Sequence, residues 1–355
     1  MTLTSEAVPD APSRAHPVGQ RGYGPFLVAT AVVLVAVSTV AVWSGAASLS
    51  FADVFAVLYA HVGGPPVDPL LDRIVWGLRV PRILIAALAG AGLSLAGAVL
   101  QALVRNPIAD PYILGVGSGA SFGAVLIMTT GIGTGLSIGV PVAAFLGAMI
   151  SLIAVLVLGR REGMLVPLRM VLAGVAIGYL LSAATSFVQL RADPSQLSGV
   201  LFWLLGSVSG ASWSDLGVPA AVITLCAAVL LTQSRQLNAL AMGDESAQSV
   251  GVDVRRTRLR LLVIASLLTA VVVSVAGGIG FVGLLVPHAV RLLVGSDHGK
   301  LLPATALVGA TFLVIVDLAA RTLDAPNELP LGIITAGLGA PFFLWLLRRD
   351  GGAQS

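Results

Sequence analysis

Four polar residues lie close together in an otherwise apolar stretch, and they could give one side of a helix contact with water. Ser182, Ser186 and Gln189 stand at i, i+4 and i+7 with Thr185 beside them, so a helix places the first three on one face. Such a face suits the passage of a large polar solute. It equally suits hydrogen bonds between neighbouring helices, worth about 1 kcal/mol per contact, and the sequence leaves both interpretations open.

The histidines and their charged neighbours predict no metal centre. Paired ligands on one helix face need i, i+4 spacing, and no two of the nearby residues His288, Arg291, Asp297 and His298 have it. The single cysteine, Cys226, lies in an apolar stretch, which excludes an intrachain disulfide and indicates a packed structural thiol. The apolar stretches also lack a nucleophile with a neighbouring base. We therefore predict no catalytic, cofactor or metal site in this chain.

Residues 295–301 superficially resemble a phosphate-binding loop but depart from its pattern. That loop has four residues between its glycines, and Ser or Thr after the lysine to hold magnesium. Here three residues separate Gly295 from Gly299, and Leu301 follows Lys300. If ATP drives this protein, another subunit must bind the ATP.

The elements that carry these residues are predicted to be helices in a membrane. The chain of 355 residues is 57% hydrophobic and 10% charged, whereas a typical soluble domain is about 25% charged. Apolar runs of roughly 20 residues cross a hydrocarbon core, and they must be helical because lipid offers no partner for unpaired backbone groups. Ten such spans are predicted, at 25–43, 83–104, 112–130, 138–158, 170–190, 214–232, 258–276, 280–294, 301–320 and 330–347. The fold class is therefore all-α and polytopic, with Leu201–Gly206 expected to be a half-helix that dips in from one side.

The arginines predict the orientation of these spans, because short cytoplasmic loops hold an excess of Lys and Arg. With the N-terminus in the cytoplasm, fifteen of the twenty basic residues lie inside and five lie outside, namely Arg73, Arg79, Arg82, Arg191 and Arg321. Both termini are then cytoplasmic, and the protein lies in the cytoplasmic membrane. The net charge of +3 reflects this topology, and nothing in the sequence indicates a nucleic-acid partner.

The chain ends are predicted to lie outside the membrane domain. The apolar run after residue 24 is longer than the core of a signal peptide, about 7 to 15 residues, so the first span is expected to stay uncleaved. We expect a disordered cytoplasmic tail at 1–24, a membrane domain at 25–349 with a cytoplasmic loop at 240–253, and a short C-terminal tail at 350–355.

A weak internal repeat is visible at an offset of 180 residues. The residues Ser94, Ala96, Gly97, Pro107 and Gly115 recur as Ser274, Ala276, Gly277, Pro287 and Gly295. Two four-helix units separated by a single span, the sixth, must enter the membrane from opposite sides. The sequence therefore predicts an inverted repeat, a common plan in transporters.

Small residues predict close helix packing on two spans. Gly115, Gly119 and Gly123 recur every fourth residue, as do Gly90, Ser94 and Ala98, and helices in lipid associate through such smooth stripes. The glycines 277, 278, 280 and 283 are denser and fall between spans seven and eight, where they could loosen the backbone and act as a hinge.

The cytoplasmic loop 240–253 is predicted to hold a short helix. Asp244 can cap it, Glu245 lies in its first turn and Gly251 can end it. A two-turn helix is unstable alone in water, so it needs a surface to pack on. At the other side of the membrane, Asp317 and Arg321 are four residues apart and are expected to form a local ion pair.

Three motifs together resemble one family of transporters. They run from Arg79-Val-Pro-Arg82 to Asp110-Pro-Tyr-Ile-Leu-Gly115, over Gly280-Phe-Val-Gly-Leu-Leu-Val-Pro-His288, and over Glu328-Leu-Pro-Leu-Gly332. The sequence from about residue 50 to 349 is similar to the permeases of ATP-driven importers for ferric siderophores, haem and cobalamin. The resemblance implies a cobalamin-permease-like fold, a second permease copy (most simply a homodimer), two cytoplasmic ATP-binding subunits and an extracytoplasmic binding protein.

The same resemblance implies two contact regions. One is a coupling loop that seats in the ATP-binding subunit, formed by Gly243, Asp244, Glu245, Ser246, Ala247 and Gly251. The other is a docking region for the binding protein, formed by Arg79, Arg82 and Arg321, with Ser182, Thr185, Ser186 and Gln189 expected along the translocation path.

Three classes of function remain open at this point: a permease of an ATP-driven importer, an ion-coupled secondary carrier and an intramembrane enzyme. A carrier usually needs buried acidic residues, and the predicted spans hold almost none beyond Asp317. An enzyme needs a catalytic arrangement that the sequence lacks. A ferric siderophore is the first expected substrate, because Tyr112 resembles the siderophore permeases at this position, and haem or a corrinoid such as cobalamin is the alternative.

Overall fold

The computed structural model describes residues 20–45, 49–131, 139–161 and 164–351, and these residues are almost all helical. The first half contains α1 (Gln20–Trp43), α2 (Phe51–Ala60), α3 (Pro69–Asp72), α4 (Val80–Val104), α5 (Val116–Thr130), α6 (Val140–Leu158) and α7 (Pro167–Leu190). A π-helical turn, Arg73–Arg79, joins α3 to α4 without a break, and a 3-10 turn, Pro111–Leu114, precedes α5. Between α6 and α7, the two-residue strands β1 (Arg160–Arg161) and β2 (Met164–Leu165) pair antiparallel.

The second half begins with α8 (Pro194–Leu204), α9 (Trp213–Thr232), α10 (Ser234–Met242) and α11 (Asp244–Ser249). It continues with α12 (Val254–Ala276), α13 (Val282–Val294), α14 (His298–Ala320) and α15 (Leu331–Gly351). The segment 201–206, expected to be a half-helix, lies partly in α8, which starts earlier because Asp193 and Gln196 form a capping box around Pro194 and which ends at Leu204. Its insertion into the membrane from one side stays a prediction.

Each of the ten predicted spans coincides with a helix. Within the described residues, seven helices are long and apolar enough to cross a membrane, and three shorter apolar helices occupy the remaining predicted spans. The short ones are α5, α13 and the first part of α15. The prediction of an all-α polytopic membrane protein is confirmed.

Helix α4 is the centre of the molecule, and small residues let its neighbours approach it closely. A Cβ added to Gly90 would collide with the carbonyl oxygen of Gly309 on α14, and one added to Gly97 would collide with that of Gly283 on α13. On α5, Gly119 and Gly123 meet the backbone of α6 in the same way. The predicted packing role of both stripes is confirmed.

The helix contacts follow the symmetry expected of an inverted repeat. Helix α4, the first of one unit, packs against α12, α13 and α14, and α12, the first of the other unit, packs against α4, α5 and α6. Exchanging the two units preserves this pattern. The predicted register was wrong, however, because Gly115 precedes α5 whereas Gly295 follows α13. The offset changes because residues 105–115 join α4 to α5, whereas only residues 277–281 join α12 to α13.

The chain ends differ slightly from the predicted boundaries. Helix α1 begins at Gln20 and α15 continues to Gly351, so both helices extend past the limits of 25 and 349. The rest of the predicted tails, 1–19 and 352–355, lies outside the described residues. Cys226 is buried, as expected of a packed thiol.

Candidate functional sites

The polar face of α7 opens onto a groove. Ser182, Thr185, Ser186 and Gln189 line a space of about 430 Å³ together with residues from α5, α8 and the segment after α12. Ser182 and Ser186 are exposed, whereas Thr185 is 6% exposed and its hydroxyl donates to the carbonyl of Leu181 at 2.8 Å. The structure brings all four predicted path residues to one groove, and Thr185 contributes least to its polar surface.

The groove also has polar residues that the sequence reasoning missed. Ser118 and Ser121 on α5 and Tyr112 before it complete the lining opposite α7. The residues that line the groove are neutral, so its polar surface consists of hydroxyl, amide and backbone groups. The signal available in the sequence was the i, i+3 spacing of Ser118 and Ser121 beside the glycine stripe of the same helix.

One end of the groove is closed by the segment that joins α12 to α13. The backbone N–H of Ile279 donates to the Tyr112 hydroxyl at 2.9 Å. Gly277 and Phe281 have φ of +67°, a left-handed conformation that strains Phe281. A Cβ at Gly277 would also collide with the carbonyl oxygen of Trp203. This segment is therefore a turn beside the groove whose conformation is constrained by close packing.

Backbone hydrogen bonds tie the same turn to two other elements. Ser207 N–H donates to Ala276 at 2.9 Å, and Leu331 N–H donates to Gly206 at 2.8 Å, so the ends of α8 and α12 and the start of α15 meet here. Among the predicted hinge glycines, Gly280 has open space around it, whereas Gly283 packs against Pro111. The hinge stays a prediction for residues 277–280, and Gly283 has a packing role.

The predicted coupling loop contains the short helix α11, which lies between α10 and α12. Asp244 does not cap α11 as predicted; Gly243 is the N-cap residue, and the Asp244 carboxylate instead accepts from Arg258 Nη2 of α12 at 2.7 Å. Gly251 follows the helix with φ of +81°, in agreement with the predicted stop.

The side chains of α11 divide into two faces. Ala247 is fully buried, so it packs α11 onto the protein and is not available to a partner. Glu245, Ser246 and Val250 are exposed, and with Met242 they form a small surface on which another subunit could seat. Val250 and Met242 are apolar and 65% and 69% exposed.

The three arginines predicted to dock a binding protein are buried in this structure. Arg79, Arg82 and Arg321 are 6%, 9% and 6% exposed. Arg79 Nη1 donates to the carbonyls of Val42 and Trp43 at 2.8 and 2.7 Å, which fixes the end of α1 against α4.

Arg82 and Arg321 belong to a cluster of charges at the end of α14. Arg82 Nε donates to Asp317 Oδ1 at 2.8 Å, and Arg82 Nη1 donates to Glu328 Oε1 at 2.8 Å. The predicted pair of Asp317 and Arg321 is present at 3.5 Å, but Arg82 is the closer partner of Asp317. The two arginines and two carboxylates are formally neutral together.

Asp297 and His298, for which the sequence predicts no metal site, form hydrogen bonds with Asn238. His298 Nδ1 lies 2.7 Å from Asn238 Oδ1, and Asn238 Nδ2 donates to Asp297 Oδ1 at 2.7 Å. Hydrogen bonds from Asn238 and from the backbone of Gly299 lower the pKa of Asp297. Within the described ranges, no three His, Cys, Asp or Glu side chains converge as metal ligands.

Within the described residues, seven long apolar helices and a central helix packed through glycines form the architecture of a multi-pass membrane protein, with a neutral polar groove on one side. Residues 32–349 match the FecCD transport family. The chain therefore belongs to the FecCD transport family, and it is the permease component of an ABC importer.

Two relatives and one solved structure illustrate the similarity. The cobalamin import permease BtuC of Halobacterium salinarum is 47% identical over 275 residues, which cover 78% of this chain and 73% of that protein. The hemin transport permease HmuU of Yersinia pestis is 41% identical over 281 residues, which cover 78% and 84%. An inward-facing structure of a metal-chelate type ABC transporter has a TM-score of 0.80 and 33% identity, covering 92% of this chain and 100% of that one. Membership of this family implies ATP-binding subunits, a binding protein and paired permeases.

Proposed function

We propose that this permease moves a bulky metal chelate across the cytoplasmic membrane, with a ferric siderophore as the first candidate. The observation that carries the proposal is the neutral groove lined by hydroxyl and amide groups on α5 and α7. A chelate presents polar atoms around a metal whose charge is enclosed, and weak hydrogen bonds to Ser182, Ser186 and Gln189 can guide such a solute without holding it. A buried charge in the path would instead bind tightly and slow release.

A second candidate substrate is haem or a corrinoid. The relatives named for cobalamin and hemin transport favour it, since they are 47% and 41% identical to this chain. The groove alone does not distinguish these solutes, because hydroxyl groups can donate to the carboxylates of haem and can both donate to and accept from the amides of a corrinoid.

The assembly we propose is a homodimer with the path along its two-fold axis. In support, α7 and α15, the last helices of the two units, lie at the periphery and carry many exposed side chains. Two ATP-binding subunits would seat against the loops at 240–253, and ATP-driven closure would bring these loops together. The binding protein would dock on the other side of the membrane, at the side of Arg79, Arg82 and Arg321, with both chain termini cytoplasmic.

An ion-coupled carrier is a weaker alternative. Its coupling ion needs a buried acid that can change partners, and Asp317, the one fully buried acid among the described residues of the spans, lies between two arginines. Membership of the FecCD family favours an ATP-driven mechanism.

The experiment that tests the function is uptake by the reconstituted complex. The permease, its ATP-binding subunit and its binding protein are purified together and placed in vesicles that contain ATP. A ferric hydroxamate siderophore, haemin and cobalamin are offered at equal concentration. ATP-dependent uptake of the ferric siderophore supports the first candidate, uptake of haemin or cobalamin alone replaces it with the second, and uptake driven by an ion gradient without ATP contradicts the proposal.

A further inference from the structure

Helix α2 carries a row of exposed aromatic side chains. Phe51, Phe55 and Tyr59 are spaced at i, i+4 and i+8, and they are 63%, 66% and 52% exposed. The rings of Phe55 and Tyr59 stack with centroids 6.2 Å apart, and Phe51 meets Trp43 at the end of α1 at 6.2 Å. The row therefore continues the outward surface of α1.

The opposite face of α2 is also apolar. Val54 and Val57 are buried against Val75 in a small core of their own. The single charged residue of the helix, Asp53, accepts hydrogen bonds from the backbone and hydroxyl of Ser50 in a capping box. A helix that is apolar on both faces needs an apolar medium on the face that the protein leaves open.

The depth of α2 follows from the contacts of Arg79. Its guanidinium binds the terminal carbonyls of α1, so the ten residues of the continuous helix before Arg79 project roughly 12 to 15 Å beyond that point. The whole helical segment, Pro69–Val104, has 36 residues. A helix of that many residues is longer than the hydrocarbon core is thick, since about 20 residues span its roughly 30 Å. Helix α2 packs on Val75 near the base of the projecting part. We place the boundary between hydrocarbon and headgroups at this level because α1, the neighbouring span, ends here at Trp43.

We propose that α2 is an interfacial anchor whose aromatic row lies in the headgroup and acyl boundary of the outer leaflet. Lipid is the expected neighbour of this row because the exposed apolar surface is continuous with that of α1: Val40 and Trp43 are exposed on α1, and the Trp43 ring contacts Phe51. Trp and Tyr prefer this boundary because it is apolar at one end and hydrated at the other. The anchor would hold the outer ends of α1 and α4 at one depth while other helices move.

The anchor depends on apolar insertion and not on charge. No Lys or Arg occurs between residues 44 and 72, whereas interfacial helices that need anionic lipid are rich in basic residues. Its depth should therefore be the same in vesicles with and without phosphatidylglycerol.

Nitroxide labels on single cysteines test the proposal in the full-length permease. Cys226→Ala supplies a cysteine-free background, because Cys226 is the one cysteine of the chain. Labels are placed at Phe55, at Val40 as a control within the hydrocarbon, and at Pro66 as an exposed control in the loop after α2. Collision with oxygen, which concentrates in lipid, is compared with collision with a water-soluble nickel chelate in phosphatidylcholine vesicles.

The expected ratio of oxygen to nickel collisions at Phe55 is several-fold above that at Pro66 and below that at Val40, because the boundary is more hydrated than the hydrocarbon. A nickel accessibility at Phe55 equal to that at Pro66 would overturn the proposal, because the row would then face water and be free for a soluble partner. Shielding from both reagents would also overturn it, because the row would then face another protein chain. If the Phe55→Cys variant does not insert, Leu58→Cys on the same exposed side gives the same comparison.

Discussion

Arg82 and Asp317 are 235 positions apart in the sequence and form a buried ion pair, with Nε 2.8 Å from Oδ1. The pair joins the start of α4 to the end of α14. Asp317 is fully buried, and its second oxygen lies 3.5 Å from Arg321. Removing one partner of a buried pair leaves a charge without compensation, which typically costs about 3 to 5 kcal/mol.

The first prediction concerns stability. Asp317→Ala should lower the midpoint of thermal unfolding of the detergent-purified permease, because it leaves Arg82 and Arg321 facing each other in a buried site. Asp324→Ala, at an exposed position four residues past the end of α14, is the matched control and should have little effect. The double change Arg82→Leu with Asp317→Leu should recover part of the loss, since it removes both buried charges. Equal midpoints for Asp317→Ala and the control would contradict the structural role of the pair.

The second prediction separates docking from folding. Reversing the charge of Arg82 would place a carboxylate against Asp317 and destabilise the fold, so it cannot report on docking. Glu328→Gln is the better change, because the Glu328 side chain is 36% exposed and binds Nη1 of Arg82. Asp317 continues to bind Nε of Arg82 in this variant. If acidic residues of the binding protein contact Arg82, this variant should associate faster, since the partner no longer competes with Glu328.

Association is measured by surface immobilisation of the permease and ATP-binding complex at several salt concentrations. The control is Asp324→Asn, which changes the charge nearby without releasing Arg82. An increase in the association rate shared by both variants would indicate a general effect of net charge. An unchanged rate for Glu328→Gln would argue that Arg82 does not dock the binding protein.

Arg79, Arg82 and Arg321 show what a sequence can and cannot predict. Charge counting along the chain predicts that they lie on the outer side of the membrane, because topology depends on local composition. It does not predict their burial, because Glu328 and Asp317 reach Arg82 only after α4 and α14 have packed through Gly90 and Gly309. The i, i+4 rule identified Arg321 as a partner of Asp317 and could not identify Arg82.

The third prediction concerns coupling to ATP hydrolysis. Val250→Glu should weaken assembly with the ATP-binding subunit and lower ATP-dependent transport without changing the thermal midpoint of the isolated permease, because Val250 is 65% exposed beside α11. Ala247→Trp is the contrasting variant. It should lower the midpoint itself, since Ala247 is fully buried and overpacking typically costs about 1 to 3 kcal/mol.

Co-purification and the two midpoints together decide this point. Normal assembly and transport by the Val250→Glu variant would contradict binding of the ATP-binding subunit to the exposed surface around Val250. Gly251→Pro is unsuitable as a probe, because Gly251 has φ of +81° and proline is fixed near about −65°. Such a variant would disturb the loop whether or not a partner binds there.

The coupling loop and the groove were predictable to different degrees. Residue types between 243 and 251 were sufficient to place a two-turn helix with a glycine stop. They were not sufficient to show that Asp244 pairs with Arg258. The same carboxylate can either cap a helix or form an ion pair, and the residue types in the loop do not decide between these two roles. In the groove, helical spacing placed the α7 residues on one face, but the contribution of Tyr112 depends on a turn 167 residues away.

The last prediction tests whether the groove is the translocation path. In a Cys226→Ala background, cysteines at Ser182, Ser186 and Gln189 should react with a membrane-impermeant maleimide, because all three line the groove and none of them is buried. A cysteine at Thr185 should react more slowly, since that side chain is 6% exposed. Leu180, which is 69% exposed and points away from Ser182 by helical geometry, is the matched control.

The response to nucleotide distinguishes a path from a static crevice. In the complex with the ATP-binding subunit, ATP with vanadate should change the labelling rates at Ser182 and Gln189 and leave the rate at Leu180 unchanged, because alternating access rearranges the walls of the path and not the lipid-facing side. Inertness at all three groove positions would favour the other interpretation of these residues, as hydrogen-bond partners between helices. Labelling that is present but insensitive to nucleotide would show that the groove contacts water without being part of the transport cycle.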